Sequence, residues 1–574
     1  MRMSLSTLLT LTSAVRIQAN SIALKDESSA ASCRYLPGDA GWPNAEDWAQ
    51  LNSSVSGRLV ATTPPSAYVC HDPTYDEAAC AQLRERWDYP EAHFDDPSAF
   101  MSAYHQNASC DPYTSQSSPC LQGNYVEYAI NVTTPEDAIA GVKFAEEKNI
   151  RLVVKNTGHD YLGKSTGKGA LSLWLHHLKS ISFSNYTSPY YTGPAVTYGA
   201  GVQAFEAFEA ADEVGLQVVG GQCVTTGIAG GYTQGGGHST LTSVHGLGAD
   251  QTLSYTAVTA NGTLLTASPI ENSDLYWALS GGGGGTFAVV LSLTAKAYPD
   301  TRTGGASFAL YPAASNLSQD AFWNVVERLH TDLPAIVDAG AHVQFAVLPQ
   351  VLIVNEATIP GATEDDMRRI FAPFTDYLDE RNILYQLNVT SYPTFLEHAD
   401  KYLGPLPYGQ TPSAQINGGV MVARSVVLSQ TAPLVSVIRD IASTTNFIVA
   451  SYALDASLKP GALDNAVLPA WRDMLTYYVV FQMWNYTVPV ADMVEQQRQL
   501  TEEIMPKMQE YASGAYLSEA DFQNPRWREE FYGENWEKLN EIKSKYDEKA
   551  LLYATTAVGS DAWTVAGDGR LCRT

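Results

Sequence analysis

Three glycine-dense segments between residues 155 and 299 constrain this chain more than any other feature. They read KNTGHDYLGKSTGKGALSL (155–173), VGGQCVTTGIAGGYTQGGGHS (219–239) and SGGGGGTFAVVLSLTAKAYP (280–299). Glycines that follow strands let backbone N–H groups close on an anion, which is how loops cradle a pyrophosphate. None of the three carries a Rossmann G-x-G-x-x-G between strand and helix with an acidic residue after it, and none gives a Walker lysine at its required spacing. Any one segment alone would pass as ordinary tight turns. Three in order, with His159 in the first and Cys223 in the second, point instead to a binding cradle.

Around these segments the chain reads as α+β. Tyr125–Val132 alternates as a strand, and Thr134 caps a helix with Pro135 at its first position and Glu136 and Asp137 in its first turn. Strands follow at Arg151–Lys155, Ala195–Tyr198 and Leu216–Val219, with a helix at Val202–Val214 stopped by Gly215. Beyond about residue 303 glycine thins. Helical stretches (Asp320–Leu329, Glu364–Glu380) then alternate with apolar strands such as Val343–Val354 and Met474–Met483, the pattern of an antiparallel sheet with covering helices. The tail from about 500 is helical and charged, with a helix around Asn535–Tyr546.

Seven cysteines and a formal charge of −26 bear on compartment and partners. The acidic balance, with no basic block, disfavours nucleic acid. No uncharged apolar run after the N-terminus reaches the ~18 residues of a membrane helix. Residues 1–20 read as a secretory signal, with Arg2 ahead of an apolar stretch from Leu5 to Val15 and small residues near Ala19. N-glycosylation sequons stand at Asn52, Asn107, Asn131, Asn185, Asn261, Asn316, Asn388 and Asn485. Cys70 with Cys80 and Cys110 with Cys120 bracket short polar loops, and Cys33 with Cys572 could staple the termini, pairings that persist only in an oxidising compartment. Cys223 is left over, as a buried thiol, an intermolecular bridge or a covalent attachment site.

Taken together, TGHD, GGQCVTTGIAGGYTQGGGHS, LYWALSGGGGGTFAVV and FYGENWEKLNEIKSKYD followed by AVGSDAW resemble the fungal berberine-bridge-enzyme-like flavoproteins. These lie within the vanillyl-alcohol-oxidase superfamily, and the chain resembles their isoamyl-alcohol-oxidase-like members. The resemblance runs from CRYLPGDAGWP at residue 33 to GRLCRT at the end. It implies a two-part PCMH-type FAD-binding domain and a substrate domain with an antiparallel sheet and covering helices. The expected division is a signal at 1–20, a disulfide-bearing extension at 21–122, the FAD domain at 123–302, the substrate domain at 303–500 and a C-terminal segment at 501–574 that returns to the FAD domain. Two departures stand out: Tyr35 and Gly41 occupy positions where relatives often carry cysteines, and Ser518 replaces the asparagine of a Tyr-x-Asn pattern.

The resemblance further implies FAD held at its 8α-methyl by His159 and at C6 by Cys223, which would account for the odd cysteine and raise the flavin potential. Asn156, Thr157, Gly158, Asp160 and Gly163 would hug the pyrophosphate, with Gly227, Gly230 and Gly231 on its other side and Phe287–Val289 near the adenine. Tyr516 is the first candidate base, a phenol that neighbours could acidify, and Tyr478 and Gln482 are weaker candidates. Ile228 is a candidate gate for oxygen. His176, His177, His238 and His245 show no metal-ligand spacing, so no metal site is expected and these read as solvated or structural. The expected activity is a secreted oxidase that passes hydride from an alcohol or similar small organic substrate to FAD and reduces O2 to H2O2. An oxidative cyclase or dehydrogenase of secondary metabolism is the close alternative, and a non-redox binding glycoprotein is the alternative from another class.

Overall fold

A computed structural model of the chain describes residues 33–64, 69–107, 109–409 and 414–574; the expected signal at 1–20 lies outside them. Three main sheets carry the architecture, and the α+β class expected from sequence holds. The first sheet orders Leu59–Ala61, Tyr128–Asn131, Ala170–Trp174 and Arg151–Lys155. Its last two pairings are parallel, and the outer pairing with Leu59–Ala61 is antiparallel. The helix Pro135–Glu147 lies against this sheet, and Ile130, Val142 and Leu173 share one apolar core with Trp48 and Leu51. Thr134 and Asp137 close the start of that helix, with the Thr134 amide donating to Asp137 Oδ2 at 3.0 Å.

The second sheet is antiparallel throughout and orders Ile181–Thr187, Thr192–Gly199, Val289–Lys296, Thr252–Val258 and Leu264–Ala267. Its inward residues, among them Val196, Tyr198, Tyr255 and Leu293, join the same core as the first sheet. The third sheet has eight antiparallel strands: Gln386–Tyr392, Thr303–Leu310, Val351–Pro360, His342–Leu348, Ile448–Ala453, Met474–Met483, Gln415–Ala423 and Ala512–Gly514. Helices Gln319–Asp338, Glu364–Asp379 and Thr431–Thr444 cover one face and bury a separate core through Phe322, Leu329, Phe371 and Ile438. The other face is turned toward the glycine-rich segments.

Several boundaries differ from the expectations, each for a local reason. The single apolar strand expected at Val343–Val354 is a hairpin, with Leu348 paired to Val351, because Pro349 cannot donate to a sheet ladder. The helix from Gln319 runs on to Asp338 past Pro334, since Leu333, Ile336 and Val337 prolong its buried stripe. The division at residue 123 cuts across a sheet, because Leu59–Ala61 belongs to it, and Ala512–Gly514 gives the eight-stranded sheet a strand from beyond residue 500. Further on, Leu539 and Ile542 of helix Trp536–Tyr546 pack into the first core.

The disulfides Cys33–Cys572, Cys70–Cys80 and Cys110–Cys120 form as expected, and Cys223 is a free thiol. Tyr35 and Gly41 stand against one another: a Cβ on Gly41 would fall 2.2 Å from Tyr35 Cζ. The tyrosine ring thus fills the space where a mutual disulfide would otherwise sit. No helix among the described residues is long and apolar enough to cross a membrane.

Candidate active site

A cavity of about 630 Å3 lies between the glycine-rich segments and the exposed face of the eight-stranded sheet. Its first wall begins where strand Arg151–Lys155 ends and the chain turns sharply at Gly158, whose φ is +84°. The N-terminal extension backs this loop. The Met101 amide donates to the Gly158 carbonyl at 3.1 Å, and buried Lys155 donates its Nζ to the Asp96 carbonyl at 2.6 Å. Burial also lowers the Lys155 ammonium to about 8. Asn156, Thr157, Gly158, His159 and Asp160 all reach the cavity. Asp160 spends both carboxylate oxygens on the chain itself, accepting the amides of Leu162 and Ser165 at 3.0 and 2.6 Å, and so shapes the loop. Gly163 does not reach the cavity: the His105 ring fills the space beside it.

The second glycine segment supplies the facing wall through Gly227, Gly230 and Gly231. A Cβ on Gly227 would fall 2.5 Å from Asn156 Nδ2, so only glycine lets the two loops meet here. Asn156 donates that Nδ2 to the Ala200 carbonyl, while its buried Oδ1 has no protein partner. An orphaned acceptor between glycine-lined walls fits a bound dinucleotide that offers a hydrogen-bond donor. Phe287 and Val289, expected near the adenine, are fully buried in the core, and Ala288 and Val290 face the cavity in their place. Ile228 also packs into the core, while Ala229 reaches the cavity.

His159 and Cys223 converge on this wall. Cys223 Sγ is 3.9 Å from His159 Nε2, and Thr225 Oγ1 is 2.6 Å from the same nitrogen. Desolvation lowers the imidazole well below its usual range, so His159 is neutral at physiological pH. Burial raises the Cys223 thiol, so it stays protonated until a base takes its proton.

Tyr516 reaches the cavity as expected, but its surroundings do not acidify it. Burial and then the Glu519 charge both raise its phenol, partly offset by Ser518 and the Gly237 amide. Ser518 thus takes up a place beside the tyrosine that the missing asparagine left in question. Tyr478 and Gln482 are not brought to the site. Strand Met474–Met483 turns Val479 toward the cavity, whereas Tyr478 and Val480 enter the helix-covered core, and Gln482 shares their side of the strand. Tyr478 stacks there on His330, with ring centroids 6.1 Å apart.

Sequence reasoning missed the groups that complete the site. His238, read as solvated or structural, lines the cavity with Nε2 3.2 Å from Glu519 Oε1, while its Nδ1 has no protein partner. Asn417 fixes Glu519 by donating to its backbone carbonyl at 2.7 Å. The sheet adds Gln344, Asn355, Gln415 and Tyr452 to the wall. Below it, Gln222 donates to Gln344 Oε1 at 3.0 Å and to Glu356 Oε2 at 2.8 Å. Glu356 is fully buried, which raises its carboxyl to about 7. Glu519 follows directly on the Tyr516–Ser518 segment that drew attention in the sequence, and Gln222 and His238 lie within the second glycine segment; the sheet residues carried no signal there.

Comparison with known proteins agrees with this geometry. Residues 126–268 match the family described as FAD binding domain, and residues 515–559 the family described as berberine and berberine like. The chain is 43% identical to the FAD-linked oxidoreductase patO of Aspergillus clavatus, over 95% of each chain. It is 41% identical to the bifunctional decalin synthase calF of Penicillium decumbens, over 95% of this chain and 96% of that one. The crystal structure of the VAO-type flavoprotein MtVAO615 from Myceliophthora thermophila C1 superposes with a TM-score of 0.91 at 42% identity, covering 95% of this chain and 100% of that one. FAD is therefore the cofactor the glycine-walled cleft takes, and the binding-only alternative falls away. The chain belongs to the berberine-bridge-enzyme-like FAD-linked oxidoreductases of the vanillyl-alcohol-oxidase type.

Proposed function

We propose that the chain is a secreted oxidase that carries its FAD through two covalent bonds, at His159 and Cys223, and oxidises an alcohol or similar small organic substrate with O2 as acceptor. The observation that carries this reading is the 3.9 Å approach of Cys223 Sγ to His159 Nε2 on one wall of the cavity. Two nucleophiles on one edge suit two bonds to one ring system. When bound, FAD supplies the hydride acceptor.

The residues around it do the rest. Gly227, Gly230 and Gly231 and the loop from Asn156 to Asp160 would grip the dinucleotide, and the sheet wall of Gln344, Asn355, Gln415 and Tyr452 would hold the substrate opposite. A substrate hydroxyl needs a proton acceptor as hydride leaves. Tyr516 is poorly suited as the primary base, because its surroundings hold its proton. The His238–Glu519 pair suits it better. Glu519 lines the cavity with a partly exposed carboxylate that can take the proton, and His238 Nε2, 3.2 Å from its Oε1, holds it in place. Tyr516 then serves as a hydrogen-bond donor to the substrate oxygen.

Export is supported by the three disulfides and by the sequons, since Asn107, Asn185, Asn261, Asn316, Asn388 and Asn485 are exposed to glycosylation. A second reading keeps the flavin but makes the product by oxidative cyclisation or dehydrogenation in secondary metabolism. The name of the calF relative, a decalin synthase, favours it. A panel of alcohols and of linear precursors able to close a carbocycle, assayed together for peroxide and for product mass, tests both. Peroxide formed in proportion to carbonyl product supports the oxidase. A ring-closed or desaturated product supports the second reading.

A further inference from the structure

His159 has two ring nitrogens, and the protein engages one of them. Nε2 lies 2.6 Å from Thr225 Oγ1 and 3.9 Å from Cys223 Sγ, and Nδ1 has no hydrogen-bond partner among the described residues. Thr225 is fully buried, and its backbone carbonyl accepts Gln203 Nε2 at 2.6 Å, which fixes the main chain that carries the hydroxyl. That hydroxyl stands 3.9 Å from Cys223 Sγ as well. One oxygen thus touches both residues proposed to carry the flavin.

A hydroxyl both donates and accepts, so the contact permits two proton arrangements. If Thr225 donates to Nε2, the imidazole proton sits on Nδ1 and no lone pair remains there. If Nε2–H donates to Thr225, Nδ1 carries the lone pair, and the hydroxyl hydrogen can turn to the other acceptor in reach, the Cys223 sulfur. Only the second arrangement makes Nδ1 a nucleophile.

We propose that Thr225 is a positioning residue for covalent flavin attachment, holding the His159 ring with Nδ1 toward the cavity and accepting the Nε2 proton's hydrogen bond as positive charge grows on the imidazole. The proposal rests on the reading that His159 carries the flavin. The Nδ1 lone pair forms the new N–C bond to the 8α-methyl carbon. One C–H bond of that methyl and the Nε2–H bond break, both hydrogens leaving as protons. The electron pair of the broken C–H bond passes through the flavin to dioxygen, which with two protons becomes hydrogen peroxide. Once Nε2 has lost its proton, the Thr225 hydroxyl can rotate and donate to it, so the same residue serves the finished linkage.

The test uses full-length protein in five forms: unaltered, Thr225→Val, Thr225→Ala, Thr225→Ser and His159→Ala. Each is digested after acid precipitation, and flavin on the His159 and Cys223 peptides is quantified by mass spectrometry, alongside flavin absorbance and melting of the folded protein. Thr225→Val keeps the side-chain shape without the hydroxyl, and Thr225→Ala covers the case in which valine packs badly. Both should lower the His159-linked fraction at least tenfold while the Cys223 link persists, and Thr225→Ser should restore it. His159 linkage at the unaltered level in either hydroxyl-free variant that folds would overturn the role of Thr225. Absence of flavin from the His159 peptide of the unaltered protein would instead overturn the attachment reading beneath it.

Discussion

His238 Nε2 and Glu519 Oε1 stand 3.2 Å apart, although 281 residues separate them along the chain. The histidine closes the second glycine segment, and the glutamate follows Tyr516 in the C-terminal segment, so the contact ties the flavin cleft to the tail that returns over it. It leaves His238 Nδ1 buried without a protein partner. Replacing Glu519 by Gln should lower kcat by about 100-fold or more, the scale of positioned acid–base groups, with flavin content unchanged and KM altered only a few-fold. Steady-state kinetics with the panel substrate that gives peroxide checks this. An unchanged kcat would remove the pair from catalysis.

Tyr516 and Tyr478 should respond differently to the same small change. Tyr516→Phe removes a hydroxyl at the cavity and should lower kcat about tenfold, the loss of one well-placed hydrogen bond. Tyr478→Phe acts in the helix-covered core and should leave turnover within about twofold. Parallel kinetics on the two variants decide which of the two tyrosines belongs to the working site.

Glu356 should leave a signature in the pH dependence of stability. Its carboxyl is raised to about 7 in the folded protein, above its ordinary value, so its contribution is full at low pH and fades as pH rises through 7. Buried histidines act in the opposite sense. His342 and His398 are lowered to about 3 by burial, so their contribution fades as pH falls below the ordinary imidazole range. Comparing Glu356→Gln with the unaltered protein isolates the carboxyl. Between pH 4 and 7.5 the unaltered protein should lose roughly 3 kcal/mol relative to the variant, read as converging or crossing melting curves.

Gly158→Ala should weaken the flavin cleft more than the fold. The φ of +84° is unfavourable for alanine by about 1–2 kcal/mol, and the new methyl would lie 3.0 Å from the Ala99 carbonyl oxygen. The loop would have to move off its backing segment. Reduced flavin absorbance per protein and a melting temperature lowered by a few degrees are the expected readings.

Much of the fold was legible because its local signals were strong. Strands Arg151–Lys155 and Met474–Met483 lie where the apolar runs placed them, and the helix after Thr134 starts at its proline. Which way a strand residue faces was not legible wherever both faces are buried. Met474–Val480 is buried at every position, so no alternation separates Tyr478 from Val479. A one-residue difference in phase exchanged Phe287 and Val289 for Ala288 and Val290 in the same way. The glycine segments, His159, Cys223 and Tyr516 were visible as residue types out of the ordinary. Glu356 and His238 were not, since their meaning comes from partners 134 and 281 residues away in the chain.

The central claim is that one flavin is bonded to both His159 and Cys223. Its most direct test is acid precipitation followed by peptide mass mapping of four proteins: unaltered, His159→Ala, Cys223→Ala and the double variant. The account predicts a single flavin joining the His159 and Cys223 peptides in the unaltered protein, one retained bond in each single variant, and complete release of flavin from the double variant. Flavin that stays with the precipitated double variant, or flavin released intact from the unaltered protein, would contradict it.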